Sequence, residues 1–341
     1  MTDKNSSFVI SLDFELYWGV RDNRTIESYT NNLLGVRSVV PALLKLFKKY
    51  EIHTTWATVG FLFFDTHAEL LEGLPNERPK YSNSNFSPYE YVNRIGSNER
   101  EDPFHYALSL IKLIANYPYQ EIATHTFSHY YCLEKGQTIE TFQEDLEAAK
   151  KAAKKYNLNL ESLVFPRNQF NIQYIQVCKE MGIKAYRGNE SSWLYTAKSQ
   201  ENESLARRAI RLIDAYLNIS GHNSYPVNEI LGDFPFNIPS SRFLRPYGTR
   251  LKLLEPLRLQ RILSDMTYAA KKGQVYHLWW HPHNFGSYLN ENLSFLQNIL
   301  DHYLKLQDSY GMESLNMGEL SQRLMKLSKL DVKNECLTSR I

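Results

Sequence analysis

The chain has 341 residues, of which 43% are hydrophobic and 22% charged, a balance that excludes a disordered or fibrous protein and suits a soluble globular one. Its formal charge of +2 supplies no basic stripe for nucleic acid. The lysines of 150–155 are interrupted by alanines and read as one solvated helix face. No apolar run approaches the ~18 residues of a membrane span. The polar start 1–7 leads straight into a strand-like segment with no signal-peptide core. Three widely separated cysteines, Cys132, Cys178 and Cys336, form neither a disulfide framework nor a zinc-finger spacing. A cytoplasmic protein is the expectation.

In chain order, a β-branched run at 8–13 predicts a first strand that ends in Asp13-Phe-Glu15. Leu34, Val39, Leu43, Leu44 and Phe47 recur with helical spacing over 33–50, with Pro41 as a bend. A strand at 54–59 follows. The segment 65–103, rich in Asn, Ser, Pro and Tyr, is too long for a passive connection. Then come a strand at 121–124 leading into His125-Thr-Phe-Ser-His129, a helix over 138–156, a strand at 163–165 and a helix over 171–181 stopped by Gly182. After a strand at 184–186, a second irregular region runs over 190–249. Helices over 256–272 and 290–306 flank a last strand at 275–280, which ends at His281. Strands alternating with helical patterns argue for βα units around a parallel sheet. No flexible linker divides the chain, so residues 1–341 read as one barrel-like domain with insertions at about 65–103 and 190–249.

Three constellations carry chemistry. Two carboxylates two residues apart on an extended chain point the same way, so Asp13 and Glu15 can line one site at the strand's C-terminal end. That end is where sites collect in parallel α/β folds. His125 and His129, with a carboxylate from elsewhere, make a His₂/carboxylate set of the kind that binds catalytic zinc; taken alone, two such histidines are more often structural. His281 can protonate a leaving amine because an imidazole titrates near neutrality. His283 competes for that role, and a core histidine among the tryptophans is the bland alternative.

The ordered set resembles the polysaccharide deacetylase family, the metal-dependent carbohydrate esterases with a NodB-homology domain. His125-Thr-Phe-Ser-His129 matches the family's H-[ST]-x-x-H motif. The strand at 54–59 looks like its second strand, Gly182-Ile-Lys-Ala-Tyr-Arg187 like its G-[YI]-x-x-x-R step, and Leu278-Trp-Trp-His281 like the motif that carries the acid. The resemblance implies an α/β fold of the distorted (β/α)7 barrel type and hydrolysis of an N-acetyl group from a sugar or glycan, in surface glycan assembly. It implies a divalent cation, Zn²⁺ first, with Co²⁺, Mn²⁺ or Ni²⁺ as alternatives, held by Glu15, His125 and His129. Asp13 is then the base, with an exchange of roles between Asp13 and Glu15 as the alternative.

The departures are specific. The family's D-D pair is D-x-E here, resembling a divergent branch. The R-x-P-[YF] motif appears as Phe165-Pro-Arg167-Asn-Gln169, making Arg167 the candidate to orient Asp13, and Glu190-Ser-Ser-Trp193 is the nearest segment to D-x-x-D-W. Tyr81, Tyr89, Tyr91, Trp193, Phe243 and Tyr247 offer faces for a sugar or pack the long loops. Arg242 and Arg245 clamp an anionic substrate group or pair with acids inside the fold. Two rival functions remain: hydrolysis of another C–N bond, such as a cyclic imide or ureide, and a non-catalytic carbohydrate-binding relative.

Overall fold

The computed structural model describes residues 6–199 and 204–338. Its strands are β1 (Ser7–Phe14), β2 (Thr54–Thr58), β3 (Gln120–Thr124), β4 (Ser162–Val164), β5 (Ala185–Arg187), β6 (Tyr225–Pro226), β7 (Phe236–Asn237), β8 (Arg242–Phe243), β9 (Gln274–Trp280) and β10 (Glu313–Ser314). The helices are α1 (Ile26–Tyr50), α2 (His67–Glu72), α3 (Leu108–Ala115), α4 (Ile139–Lys154), α5 (Ile172–Glu180), α6 (Leu205–Asp214), α7 (Val227–Ile230), α8 (Glu255–Lys272), α9 (Leu289–Tyr310) and α10 (Met317–Thr338). All six predicted strands and all five predicted helices form. Thr25 starts α1 earlier than the apolar stripe suggests: it accepts from the Ser28 N–H while the Ser28 hydroxyl accepts from its own N–H. Pro41 lies inside α1 without ending it.

The sheet runs β6-β9-β1-β2-β3-β4-β5-β7, with β8 beside β9 and β10 beside the start of β1. Only β6 is antiparallel to its neighbour among these pairings. Even-numbered β1 residues, Phe8, Ile10, Leu12 and Phe14, join the layer beneath the surrounding helices, together with Val39, Leu43 and Phe47 of α1. Val9 packs instead in a second cluster with Ala57, Val164, Ala185, Phe236 and Val275, closed by Met317, Leu320 and Leu324 of α10. Residues of β9 and β7, far apart in the strand order, meet one helix only if the sheet curls around it. The architecture is therefore a curled α/β barrel whose floor is plugged by α10. Its inner face turns polar above that plug, beginning with Ser11 and Asp13.

The two long irregular regions are built into this frame. Segment 65–103 carries α2 and short turns, and its continuation clasps the turn after β1: Tyr17 N–H donates to Phe104 O at 3.2 Å and Trp18 Nε1 to His105 O at 2.9 Å. Segment 190–249 is threaded into the sheet through β6, β7 and β8 and adds α6 and α7.

Candidate metal centre and catalytic rim

Asp13 and Glu15 leave β1 on the inner side, as alternation requires, and both are buried. The chain then turns tightly through Leu16–Gly19. Gly19 leaves room for the Glu15 carboxylate, since a Cβ there would lie 1.9 Å from its carboxyl carbon.

His125 and His129 come from the loop after β3, and the loop is not a helical turn. Thr126 and His129 adopt left-handed backbone, with φ of 62° and 59°, an arrangement that needs support from outside. Asp145 of α4 supplies it, accepting from the N–H groups of Phe127 at 2.6 Å and Ser128 at 3.1 Å and from the Ser128 hydroxyl. The carboxyl of Asp145 is pushed up to about 6 by burial, against the pull of those donors.

The three side chains converge. Nε2 of His125 lies 3.2 Å, and Nε2 of His129 3.1 Å, from Glu15 Oε2. His125 Nδ1 is 2.8 Å from the Val164 carbonyl oxygen, which can only accept, so Nδ1 carries the proton. In neutral His125 the Nε2 lone pair then faces a carboxylate oxygen, an arrangement a cation resolves. His129 Nδ1 is 3.1 Å from the Tyr131 hydroxyl. Burial lowers the His129 value, opposed by its bond and charge interaction with Glu15. Burial raises Glu15, but His281, His125 and His129 outweigh it and leave the carboxyl well below its ordinary value. Glu15, His125 and His129 form a group whose ligand atoms all lie within 4.8 Å of one another. The donor set, one carboxylate oxygen and two imidazole nitrogens, fits a borderline divalent cation such as zinc.

Asp13 sits beside this group. Its carboxylate is gripped by Arg187 at the end of β5, Nη1 to Oδ1 at 2.7 Å and Nη2 to Oδ2 at 2.8 Å. Burial raises the Asp13 value, but the charge and bonds of Arg187, with His125 and His281, hold it below normal. Arg187 also donates to Ser11 Oγ at 2.9 Å and Asn168 Oδ1 at 2.8 Å, and its guanidinium lies 4.1 Å from the Trp279 ring centre. Beneath it, Ser11 Oγ is 2.9 Å from Nε2 of the buried His277.

The contact expected of Arg167 is therefore made by Arg187. Arg167 pairs with Asp22 and lies over Tyr131, its guanidinium 4.3 Å from the ring centre. The physical reason lies in the strands: Arg187 is the last residue of β5 and points along the inner face at Asp13, whereas Arg167 follows β4 on a turn with left-handed backbone, φ 55°. Burial lowers the Arg167 value to about 10.

His281 follows β9 directly, with Nε2 at 3.7 Å from Asp13 Oδ2 and 3.6 Å from Glu15 Oε1. His283 stacks behind it, ring centres 5.0 Å apart, and is buried against Tyr29, with a value driven to about 3 by burial. His281 alone of the two lines the cavity over the rim, about 580 Å³ in volume. Trp279, Phe243 and Tyr195 contribute its aromatic walls. Of the six aromatic residues singled out from sequence, Phe243 lines this cavity. Tyr81 and Tyr89 instead brace the loop that carries His125 and His129, Tyr81 accepting from Tyr131 N–H at 2.9 Å. Arg242 pairs with Asp214 at 3.3 Å and Asp265 at 3.0 Å, the second of its two alternatives. Glu190 also lines the cavity, where burial raises its value against a bond from Ser240.

A curled parallel sheet with two carboxylates and three histidines at its C-terminal rim defines a barrel-type α/β protein with a candidate metal centre. The family model for polysaccharide deacetylase matches residues 29–186, a span that includes the histidine motif. Over that stretch the chain is similar to the polysaccharide deacetylase family. Among solved structures it is similar to a candidate polysaccharide deacetylase from Mycobacterium smegmatis, with a TM-score of 0.59 and 12% identity over 96% of this chain and 92% of that one. It is also similar to a GH57-type branching enzyme from Pyrococcus horikoshii (TM-score 0.50, 12% identity, 92% of this chain, 69% of that one). A 4-alpha-glucanotransferase from Thermococcus litoralis gives 0.50 and 12%, over 93% of this chain and 38% of that one. At these identities the likeness is one of fold. No curated protein matches by sequence.

Proposed function

We propose that the protein is a metal-dependent N-deacetylase that removes an acetyl group from an N-acetylated sugar or glycan precursor in surface glycan biosynthesis. The match of residues 29–186 to the polysaccharide deacetylase family model supports carbohydrate deacetylation. The observation that carries the reading is the convergence of Glu15, His125 and His129 beside Asp13 and His281 on one rim.

A divalent cation, if bound, would be held by Glu15, His125 and His129, and would supply Lewis acidity toward an acyl oxygen and lower the pKa of water. Asp13 is ionised and fixed by two bonds from Arg187, with lone pairs left to take a proton from the attacking water. His281 is partly exposed at the mouth of the cavity and donates a proton to the departing nitrogen, so the amine leaves neutral. Trp279 and Phe243 stand beside His281 and give the sugar apolar walls. The buried thiols of Cys132 and Cys178 are unbridged, which suits a reducing, cytoplasmic compartment. Among the described residues no helix is long and apolar enough to cross a membrane.

The test is acetate release from a panel of nucleotide-linked and oligomeric N-acetyl sugars by the zinc-, cobalt-, manganese- or nickel-loaded protein. Asp13→Asn is expected to lower turnover by about 10²–10⁴-fold while bound metal stays constant. Full activity in that variant, or no release from any acetylated sugar, overturns the reading.

A further inference from the structure

The cavity over the rim is lined by six cationic side chains, Arg167, Lys198, Arg208, Arg211, Arg242 and Arg245, against the three carboxylates of Asp13, Glu15 and Glu190. The carboxylates are already committed. Asp13 is gripped by Arg187, Glu15 faces two histidines, and burial disfavours the charge on Glu190. Two of the cations are committed as well, Arg167 to Asp22 and Arg242 to Asp214 and Asp265. Among the described residues, neither Arg208 nor Arg245 has an ion-pair partner. An excess of positive charge therefore faces the same space as the candidate reaction centre.

The helix that carries Arg208 is turned against its own hydrophobicity. Arg207 of α6 is buried, donating to the carbonyls of Trp193, Leu194 and Thr196 at 3.0, 2.9 and 3.0 Å, while Leu205 is 80% and Ile213 47% exposed. A helix seated by apolar burial turns its leucines inward. Here the anchoring of Arg207 fixes the opposite roll, and Arg208 and Arg211, three residues apart, share the side that lines the cavity. The cations crowd one another. Burial lowers the Arg245 value and neighbouring Arg211 lowers it further; Arg208 acts likewise on Arg167. Such mutual repulsion is relieved by an anion.

We infer that this wall is an anion subsite of the catalytic cavity, so that the acylated sugar bound there carries a phosphate or carboxylate group engaged by Arg208 and Arg245. The identity of the ligand as an N-acetyl sugar rests on the deacetylase reading, whereas the anion subsite rests on the lining alone.

The experiment is calorimetric binding to the full, zinc-loaded chain, run separately from acetate release. The probes are UDP-N-acetylglucosamine and N-acetylglucosamine 1-phosphate, N-acetylmuramic acid as the carboxylate arm, and neutral chitotriose. A charged bond is worth about 10–100-fold in affinity. At least one anionic probe is expected to bind tenfold or more tightly than chitotriose and to weaken with rising salt. Arg208→Gln and Arg245→Gln should each cost that probe about 10–100-fold and leave zinc content and chitotriose affinity unchanged. Arg208 is exposed, so its variant is the one certain to report on binding and not on folding. Equal affinity for neutral and anionic probes, or no loss in either variant, overturns the inference. Arginine-dependent binding of an anionic probe with no acetate released from any sugar sustains the subsite and overturns the deacetylase reading instead.

Discussion

Replacing Arg187 by Gln isolates the contact that the structure puts at the heart of the rim. Arg187 is 1% exposed and makes four bonds to side chains, two of them to the buried Asp13 carboxylate. The variant keeps Asp13 buried but strips its charge partner, and breaking a buried pair from one side costs about 3–5 kcal/mol. Urea denaturation of the metal-loaded protein should show that loss as a lower midpoint with an unchanged slope. The double variant Asp13→Asn/Arg187→Gln removes the stranded charge, so its stability should recover part of the deficit and the two changes should be non-additive by about 1–3 kcal/mol. Acetate release should fall in Arg187→Gln without loss of metal, because Arg187 bonds to Ser11, Asp13 and Asn168 and packs on Trp279, not on Glu15, His125 or His129. An Arg187→Gln protein as stable as the parent, or strictly additive with Asp13→Asn, refutes the assignment of Arg187 as the partner that keeps Asp13 ionised. Arg167→Gln is the matched control, expected to spare the cycle.

Other perturbations read other parts of the rim. Tyr131→Phe deletes the hydroxyl beside His129 Nδ1, and zinc affinity measured against a competing chelator should fall about 10–100-fold; unchanged affinity would detach Tyr131 from the metal loop. Asp145→Ala leaves the buried N–H groups of Phe127 and Ser128 without their acceptor, at about 1–3 kcal/mol each, and should also loosen metal binding through the left-handed backbone of the loop. A stable variant with native zinc affinity contradicts that support. His277 gives the pH dependence: burial, then the charge of Arg187, lowers its value from 6.5 to about 3, against the carbonyl of Ile238. Its contribution is whole above pH 6.5 and is lost as the pH falls toward 3, because the unfolded chain takes up the proton first; the loss is roughly 4–5 kcal/mol. His277→Gln should flatten denaturation midpoints across that window, and an unaltered pH profile in the variant removes His277 from the account.

The strands were legible because each is a short β-branched or aromatic run buried on both faces, and the rim was legible because a site at strand ends is written in residues adjacent to those runs. Asp13, Glu15, His125, His129 and His281 all lie at the end of a predicted strand or within five residues beyond it. What escaped was set by neighbours the sequence does not order. Arg187 ends a three-residue strand, β5, and only the pairing of β4 with β5 aims it at Asp13, whereas Arg167 sat closer to the expected motif. The clue available was its place as the final residue of the Gly182–Arg187 step. Helices α2, α3, α6, α7 and α10 were not foreseen, since α2, α6 and α7 lie inside segments dominated by turn formers and α6 buries Arg207 while exposing Leu205. The strands β7 and β8 are two residues each and exist because the sheet edge supplies their partners.

The polar interior of this barrel follows from one geometric demand. A curled sheet with a small circumference brings the inner residues of β1, β5 and β9 within hydrogen-bonding reach, so the chain from His277 to Ser11 to Arg187 to Asp13 is continuous, at 2.9, 2.9 and 2.7 Å. Apolar side chains at those positions would pack as Val9, Ala57 and Val275 do one layer lower. The buried cation of Arg187 is tolerable because Asp13 neutralises it, Ser11 and Asn168 satisfy further donors, and the Trp279 face covers it. A carboxylate so held is ionised, immobile and shielded from collapsing onto the histidines beside it. The layer below the rim thus fixes the charge on Asp13, leaving Glu15, His125 and His129 as the candidate cation site beside it.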